Sequence, residues 1–266
     1  MMLRTFLFTL ATFWAVASGA VAADWKLVWA DEFNYQGLPD PTKWNYEVGF
    51  VRNHESQYYT QARLENARVE DGHLVIECRK ENFTPTNHSP VNYTAASLIT
   101  LHKESWRYGR IEVRAKLPHG RGVWPAIWML GTNITQVGWP RCGEMDIMEF
   151  IGKDPHGIHG TVHYSLAGQH QSSGHRLETN QPWADYHIYA LEWTPERMDF
   201  YFDQTKYHSV RVDQANQGTT NPFRAPQYLL LNFALGGDWG GPIDDAMLPQ
   251  QFLIDYVRVY QPTDIK

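Results

Sequence analysis

The sequence is poor in positive charge and in cysteine. The first shortage limits the partners that the protein can bind, and the second limits the disulfide bonds that it can form. Its 266 residues carry 23 Lys and Arg against 29 Asp and Glu, a formal net charge of −6 at pH 7. A protein that binds nucleic acid through phosphate contacts needs an excess of basic residues, so no nucleic-acid partner is expected. Only two cysteines are present, Cys78 and Cys142. We expect two separate buried thiols, although export of the chain would permit a disulfide.

Long apolar runs are also missing, apart from one near the N-terminus. Residues 1–23 combine a basic residue, Arg4, with an apolar stretch from Phe6 to Val16 and an A-x-A pattern at residues 20–22, which predicts a secretory signal peptide. A membrane anchor is the alternative, but the run is short and ends in small residues. Removal of this segment takes the net charge to −6 − 1 = −7. We therefore expect a secreted protein, extracellular or periplasmic, that has no membrane contact after signal removal.

A third absence is that of any long stretch with the 3.6-residue apolar period of a helix. The chain shows many short alternating segments separated by Gly and Pro, the pattern of an all-β sandwich. A β domain can reach about 200–250 residues as a single unit. We see no repeat, linker or second module, so residues 24–266 are predicted to form a single domain. Eleven Trp are present, and flat apolar rings suit sugar-binding clefts, although core packing is the usual role of any one ring.

One acidic segment interrupts the apolar pattern. Residues 143–150 read Gly-Glu-Met-Asp-Ile-Met-Glu-Phe and place Glu144, Asp146 and Glu149 within six residues. Carboxylates are almost never buried without a partner or a function. In a regular strand Glu144 and Asp146 share one face and Glu149 lies on the other. A one-residue bulge at residues 147–148 would bring all three to one face, and bulges are over-represented beside active sites.

Two carboxylates on one face suit glycoside hydrolysis. One attacks the anomeric carbon or activates water, and the other protonates the leaving oxygen. Like charges held close push their pKa values apart, so that one carboxyl can stay protonated near neutral pH. A calcium cage or a charged strand edge would explain the same spacing, since acidic clusters also bind hard cations. The spacing alone leaves these alternatives open.

The acidic segment resembles the Glu-x-Asp-x-x-Glu signature of glycoside hydrolase family 16, and within that family the laminarinase-like β-1,3-glucanases. Met148 matches the additional residue that lichenase-like relatives usually lack. Further segments resemble landmarks of the same family: Y-G-R-I-E-V-R-A-K-L-P at 108–118, W-P-A-I-W-M-L at 124–130, G-T-V-H-Y at 160–164 and I-D-Y-V-R-V-Y at 254–260. The resemblance covers the chain from about Trp29 to Tyr260.

This resemblance implies a fold and a mechanism. The fold is a curved β-sandwich, a jelly roll of two antiparallel sheets with a concave substrate cleft. The mechanism is retaining hydrolysis, with Glu144 as the nucleophile, Glu149 as the acid and then the base, and Asp146 as a hydrogen-bonding neighbour of the nucleophile. Retention predicts the carboxyl groups of Glu144 and Glu149 about 5–5.5 Å apart. No cofactor is expected for catalysis.

Four residues are predicted to bind substrate by the same resemblance. Asn53 begins a polar segment, residues 53–60, which resembles the family's Asn-x-Glu-x-Gln-Tyr and would otherwise be a solvated strand face. Trp124 and Trp128 share strand parity, with core packing as their alternative. His163 is expected beside the catalytic carboxylates, where it would contact substrate or tune Asp146.

Two metal hypotheses differ in location. Many family 16 relatives hold one structural calcium ion on the convex face, and the matching positions here are Glu32, the carbonyl of Gly72 and Asp255. Three histidines in residues 156–163 have a spacing that could suggest zinc. Two glycines in the same segment argue against the helix on which such histidines usually lie, so a strand is predicted there instead.

The resemblance also implies a substrate. The first choice is laminarin-type β-1,3-glucan, cleaved internally, with mixed-linkage β-1,3-1,4-glucan as a side substrate. The alternatives are a hydrolase of a marine galactan of the agar, carrageenan or porphyran type, a transglycosylase, and a non-catalytic β-glucan recognition protein. Recognition proteins of this kind have usually lost a catalytic Glu, and this chain keeps both. A monomer is expected.

Overall fold

Two β-sheets account for most of the structure. The computed structural model describes residues 25–86 and 88–263, so the predicted signal peptide lies outside the described residues. In chain order the strands are β1 (Trp25–Asp31), β2 (Asn45–Tyr46), β3 (Tyr58–Tyr59), β4 (Ala67–Glu70), β5 (His73–Phe83), β6 (Val91–Ala95), β7 (Ser97–Ile99), β8 (Gly109–Lys116), β9 (Val123–Gly131), β10 (Glu144–Glu149), β11 (Gly157–Leu166), β12 (Gln169–Glu178), β13 (His187–Trp193), β14 (Arg197–Phe202), β15 (Thr205–Arg211), β16 (Gln227–Leu235) and β17 (Gln250–Pro262).

Helical structure is confined to single turns in the loops. The α-helical turns are α1 (Ile134–Val137) and α2 (Gly237–Gly240), and 3₁₀ turns lie at Val212–Ala215, Pro222–Arg224 and Asp245–Met247. Among the described residues, no helix is long and apolar enough to cross a bilayer.

The strands divide into a ten-stranded and a seven-stranded sheet. The ten-stranded sheet follows the order β15-β14-β13-β8-β17-β5-β6-β3, with β1 beside β17 and β4 beside β5. The seven-stranded sheet follows the order β12-β11-β10-β9-β16-β7-β2. Pairing is antiparallel except between β3 and β6, which run parallel over two residues. Apart from that short parallel pair, the predicted sandwich of antiparallel sheets is confirmed.

The core lies between the inner faces of the two sheets. On β8, Ile111, Val113 and Ala115 are fully buried while the charged residues between them are half-buried, as the alternation predicts. Strand β16 is buried along its whole length. One of its faces packs into the core and the other lies under the floor of a cleft, so the continuous apolar run of residues 228–235 is explained. We call the face of the seven-stranded sheet turned away from the core the cleft face, and the corresponding face of the ten-stranded sheet the outer face.

Two sequence predictions outside the site have clear outcomes. Cys78 and Cys142 are both buried and unbonded, Cys78 in the main core and Cys142 in a smaller cluster with Trp128. Separate buried thiols are therefore confirmed. The polar composition of residues 169–183 predicts a loop, and this prediction was wrong. Residues 169–178 form β12, which pairs residue by residue with β11. Most of this strand is exposed, so it carries no apolar alternation to reveal it.

Candidate active site

A bulge in β10 brings three carboxylates to the cleft face. Asp146 pairs with Trp128 and Met148 pairs with Ile127, so Ile147 is an extra residue relative to β9. Ile147 and Met148 are consecutive, yet both are fully buried in the main core. Because two neighbouring side chains face the core, the alternation shifts by one residue and Glu149 returns to the face of Glu144 and Asp146. The predicted bulge is confirmed.

The three carboxylates lie in a cleft with a cavity of about 610 Å³. Three of the predicted substrate-binding residues, Asn53, Trp124 and Trp128, line it as well. The remaining lining residues come from the loop between β2 and β3, from strands β9 and β16, and from α1 with the loop that follows it: Glu47, Val51, Arg52, Glu55, Ala126, Leu130, Ile134, Thr135, Trp139, Tyr228 and Asn232.

Glu144 is held from the loop side of the cleft. The Trp139 indole Nε1 donates a 2.9 Å hydrogen bond to Glu144 Oε2, and His163 Nε2 lies 3.9 Å from Glu144 Oε1. Burial, and then repulsion from Asp146, raise the pKa of Glu144 to about 8. His163 and the Trp139 hydrogen bond act in the opposite direction and favour the charged carboxylate.

Asp146 lies between the two glutamates in sequence and is 3% exposed. Burial raises its pKa, and a hydrogen bond with Glu144 opposes that shift. Its Oδ2 is 3.2 Å from His163 Nε2. The contact lacks hydrogen-bond geometry, and this oxygen has no hydrogen-bond partner among the described residues. His163 thus lies beside the carboxylates, where it was predicted.

Glu149 is the third carboxyl of the cleft, and Trp124 holds it in place. The Trp124 Nε1 donates a 2.9 Å hydrogen bond to Glu149 Oε1, and the Trp124 ring meets Trp239 edge-on at 5.5 Å between centroids. Burial, followed by the charge of Asp146, raises the pKa of Glu149 well above its ordinary value. A carboxyl in this state holds its proton at neutral pH.

Trp128 is fixed by a chain of hydrogen bonds across the cleft floor. Its Nε1 donates to Asn232 Oδ1 at 2.7 Å, Asn232 Nδ2 donates to Tyr59 Oη at 2.9 Å, and Tyr59 Oη donates to Glu55 Oε2 at 3.1 Å. Each polar atom in this chain is buried and satisfied, and such networks fix side-chain orientation. Trp128 therefore presents its ring to the cleft in one orientation.

Asn53 lies on a loop that hydrogen bonds to other parts of the chain hold in place. Its backbone adopts the left-handed conformation with φ of 54°, its carbonyl accepts a 2.9 Å hydrogen bond from the Asp238 amide, and its Nδ2 donates to Glu55 Oε1 at 3.3 Å. Gln57, expected to present its amide alongside Asn53, is 1% exposed. It donates to Glu55 Oε2 and accepts from the Leu235 amide, so it supports the loop from within.

Arg52 is the main cleft residue that the sequence did not reveal. Its guanidinium lies 4.8 Å from the centroid of Trp128 and forms an ion pair with Glu47. Its Nη1 is buried and has no hydrogen-bond partner among the described residues. No local pattern marks Arg52. By contrast, Asn232 is the single polar side chain in the apolar run of β16, and that interruption could have identified it.

Of the residues predicted to hold calcium, Glu32 follows β1, Gly72 lies in the β4–β5 turn and Asp255 lies within β17. Glu32 Oε1 and Oε2 both accept hydrogen bonds from Arg258 at 2.8 Å, and Asp255 Oδ2 accepts one from Arg114 at 2.5 Å. Gly72 has φ of +77° in the β4–β5 turn. Calcium needs six to eight oxygen ligands, and a cation here would compete with two guanidinium groups. As arranged, these residues do not form a free oxygen cage.

Comparison with known proteins gives one consistent result. The profile of the glycosyl hydrolases of family 16 matches residues 54–258. A β-glucanase of Rhodothermus marinus is 45% identical over 254 residues, 90% of this chain and 86% of that protein. A glucan endo-1,3-β-glucosidase of Cryptopygus antarcticus is 37% identical over 265 residues, 94% of this chain and 95% of that protein.

A solved structure agrees with these relatives. It is the crystal structure of a non-specific endo-β-1,3(4)-glucanase of family GH16 with 1,3-β-D-cellobiosyl-glucose at its active site. It is 44% identical to this chain, with a TM-score of 0.84, and the match covers 91% of this chain and 96% of that one.

Proposed function

The chain belongs to glycosyl hydrolase family 16 and is a glycoside hydrolase, and from this premise we propose that it cleaves β-1,3-glucan of the laminarin type internally and with retention. The observation that carries the proposal is the bulge in β10. It places three carboxylates with differently perturbed pKa values on one face of a single cleft. The identity to glucanases over most of the chain supports the choice of glucan as substrate.

Glu149 is the acid in the proposed reaction. Burial and the charge of Asp146 raise its pKa well above the ordinary value, so its carboxyl carries a proton at neutral pH. It gives that proton to the glycosidic oxygen as the bond to the anomeric carbon breaks. In the second step it takes a proton from water, which then attacks the same carbon.

Glu144 is the nucleophile. The Trp139 hydrogen bond and the nearby His163 favour its charged form relative to Glu149. Its carboxylate attacks the anomeric carbon and forms a glycosyl ester, which water then cleaves to release the sugar and restore the carboxylate. Asp146 neighbours both glutamates, and its charge raises the pKa of each.

Aromatic and amide groups of the cleft would bind the glucan. The ring of Trp128 offers a fixed apolar surface to a sugar face. The guanidinium of Arg52 and the amide of Asn53 line the cavity and offer donors to sugar hydroxyl groups. Transglycosylation remains an alternative outcome of the same ester intermediate, because a sugar hydroxyl can replace water.

Hydrolysis of four polysaccharides tests the proposal. The protein, expressed from residue 24, is incubated with laminarin, barley mixed-linkage glucan, agarose and κ-carrageenan, and Glu144→Gln serves as the blank. We expect release of oligosaccharides from laminarin, absent in the variant, with the β-anomer formed first by proton NMR. Cleavage of a galactan alone would replace the substrate and keep the mechanism. Laminarin that is bound but not cleaved would place the protein among recognition proteins.

Family 16 glycosidases need no cofactor for catalysis. We propose a structural calcium ion at Glu32, Gly72 and Asp255 only as a stabilising ligand, since it follows from the resemblance and would have to displace two arginines. An ion bound only to the native state raises stability. We therefore expect a chelator to lower the melting temperature and calcium to restore it. An unchanged melting temperature would remove the calcium proposal.

Export is proposed on the signal-like segment alone. Expression of the full chain in a secreting host should release a protein whose N-terminus begins at or near residue 24, measured by N-terminal sequencing. Retention of the intact chain in the cell would contradict this.

A further inference from the structure

A buried carboxylate oxygen of the cleft, Asp146 Oδ2, lacks a hydrogen-bond partner among the described residues. Asp146 itself is 3% exposed. An orphaned carboxylate oxygen at this depth is costly unless a proton or a cation meets it. Among the described residues, no Lys or Arg lies within salt-bridge distance of Glu144 or Asp146. His163 is the nearest basic group to both.

Three potential ligand atoms converge at this oxygen. His163 Nε2 is 3.2 Å from Asp146 Oδ2 and 3.9 Å from Glu144 Oε1, and one donor atom from each residue lies within 4.8 Å of the other two. Around a tetrahedral zinc ion with bonds of about 2.0–2.2 Å, neighbouring ligand atoms lie about 3.3 Å apart. Small side-chain rotations would therefore bring all three atoms onto one ion. The open side of the cleft leaves a fourth position for water.

A second histidine, His170, contacts the ring nitrogen of His163 that faces away from the carboxylates. The His163 Nδ1 lies 2.9 Å from the His170 Nε2, and the two rings stack at 5.1 Å between centroids. A histidine that binds a metal through one nitrogen nearly always uses the other nitrogen in a hydrogen bond, which fixes its tautomer and orientation. A metal ion at this place would bind the neutral tautomer, in which His163 donates from Nδ1 to His170 and its Nε2 lone pair points at the ion.

From these contacts we propose that Glu144, Asp146 and His163 form a binding site for a divalent cation of the zinc type, with His170 orienting the histidine ligand. Mixed nitrogen and carboxylate ligands favour zinc over calcium, which needs more oxygen atoms than this site supplies. A bound ion would occupy the carboxylate of Glu144 and so block attack on the anomeric carbon. The site would thus act as an inhibitory one. The inhibition rests on the proposed function, whereas the binding does not.

Direct metal binding tests the site without reference to activity. Tag-free protein is stripped with a chelator, exchanged into metal-free buffer at pH 7.5 and titrated with Co²⁺, whose visible absorption reports nitrogen and oxygen coordination, and with Zn²⁺ by calorimetry. We expect one ion per chain and displacement of Co²⁺ by Zn²⁺. His163→Gln should weaken binding by at least about tenfold, and His170→Ala by about 10–100-fold.

His175→Gln is the matched control. His175 lies on β12, as His170 does, but its ring neighbours are Tyr207 and His208. Zinc affinity should not change in this variant, and thermal melting checks that every variant is folded. Failure of the unmodified protein to bind Zn²⁺, or equal affinity in His163→Gln, would overturn the site.

Laminarin hydrolysis separates this inference from the proposed function. We expect Zn²⁺ to inhibit competitively with laminarin, with an inhibition constant close to the calorimetric dissociation constant. Hydrolysis without zinc binding would remove the metal site and leave the function intact. Zinc binding that depends on His163, in a protein that cleaves none of the four polysaccharides, would keep the site and remove the function.

Discussion

The outer face and the cleft face of this sandwich differ in the groups that surround their acidic residues. On the outer face, Arg110 pairs with both Glu112 and Glu192, and Arg114 pairs with Asp255. On the cleft face, Glu144, Asp146 and Glu149 have no Lys or Arg within salt-bridge distance among the described residues. Guanidinium groups neutralise these carboxylates of the outer face, whereas the three carboxylates of β10 lie together beside indole and imidazole groups.

The pKa directions follow this division. Glu32, bonded to Arg258 near the outer face, has its pKa lowered chiefly by that hydrogen bond. Glu144, Asp146 and Glu149 in the cleft have theirs raised, chiefly by burial. A salt-bridged carboxylate stays charged and stabilises the fold, whereas an unpaired buried one destabilises it when charged. The carboxylates that suit the cleft for catalysis therefore lower the free energy of unfolding when they are charged.

The largest expected effect is the loss of hydrolysis when an acid is removed from the cleft face. Glu149→Gln keeps the size of the side chain but cannot protonate the leaving oxygen, and we expect kcat/KM for laminarin to fall by about 10²–10⁴-fold. The matched control is Glu192→Gln on the outer face, which should leave kcat/KM unchanged. Equal losses in both variants would mean that the two faces do not differ in function.

A smaller effect is expected from Arg52, which borders the carboxylate cleft. Arg52→Lys keeps the charge but removes the planar group that lies over Trp128. A hydrogen bond from a charged donor contributes about 1.5–3 kcal/mol, so we expect kcat/KM to fall by about 10–100-fold, mainly through a higher KM. Arg114→Lys on the outer face is the control. An unaltered KM in Arg52→Lys would show that the glucan does not use this donor.

Stability should respond to pH with opposite sign on the two faces. Glu144 has its pKa raised from 4.5 to about 8, so its contribution to stability is full below pH 4.5 and is lost as the pH rises through 8. Relative to the unmodified protein, Glu144→Gln should therefore gain free energy of unfolding between pH 5 and pH 8.5, on the order of 1–3 kcal/mol.

Glu32→Gln provides the opposite slope. The pKa of Glu32 is lowered, so its contribution is present above 4.5 and is lost as the pH falls through the lower value. This variant should be less stable than the unmodified protein at pH 7 and approach it in acid. Urea denaturation across the pH range measures both variants. Parallel pH profiles for Glu144→Gln and Glu32→Gln would contradict the division between the faces.

The sequence predicted the carboxylates of the cleft, but it did not predict the loop residues that surround them. The difference has a physical reason. Glu144, Asp146 and Glu149 stand out because charge inside an apolar strand is costly, and the bulge is the only way to bring them to one face of a strand. Trp139 and Arg52 reach the same cleft from loops, whose paths are set by distant contacts such as the hydrogen bond from the Asp238 amide to the Asn53 carbonyl. Local pattern does not record such contacts.

Strand β12 was missed for the opposite reason. Its edge position leaves most of its side chains exposed, so only backbone pairing with β11 defines it. His170, which lies on this strand, was missed with it. Sequence patterns thus reveal residues that are costly to bury. They do not reveal residues of an edge strand that is defined only by backbone hydrogen bonds.

The smallest expected effect comes from breaking an ion pair near the outer face. Arg258 donates two hydrogen bonds of 2.8 Å to Glu32 and lies 3.8 Å from the Tyr256 ring centroid, but both charged side chains are about one-third exposed. Solvent screens such pairs, so Arg258→Gln should lower the free energy of unfolding by no more than about 1 kcal/mol, measured by urea denaturation in chelator, and leave kcat/KM unchanged. A double-mutant cycle with Glu32→Gln isolates the pair. A coupling of about 3 kcal/mol or more would place this pair with buried ones, and charge pairing would then contribute far more to the stability of this side of the sandwich than its exposure indicates.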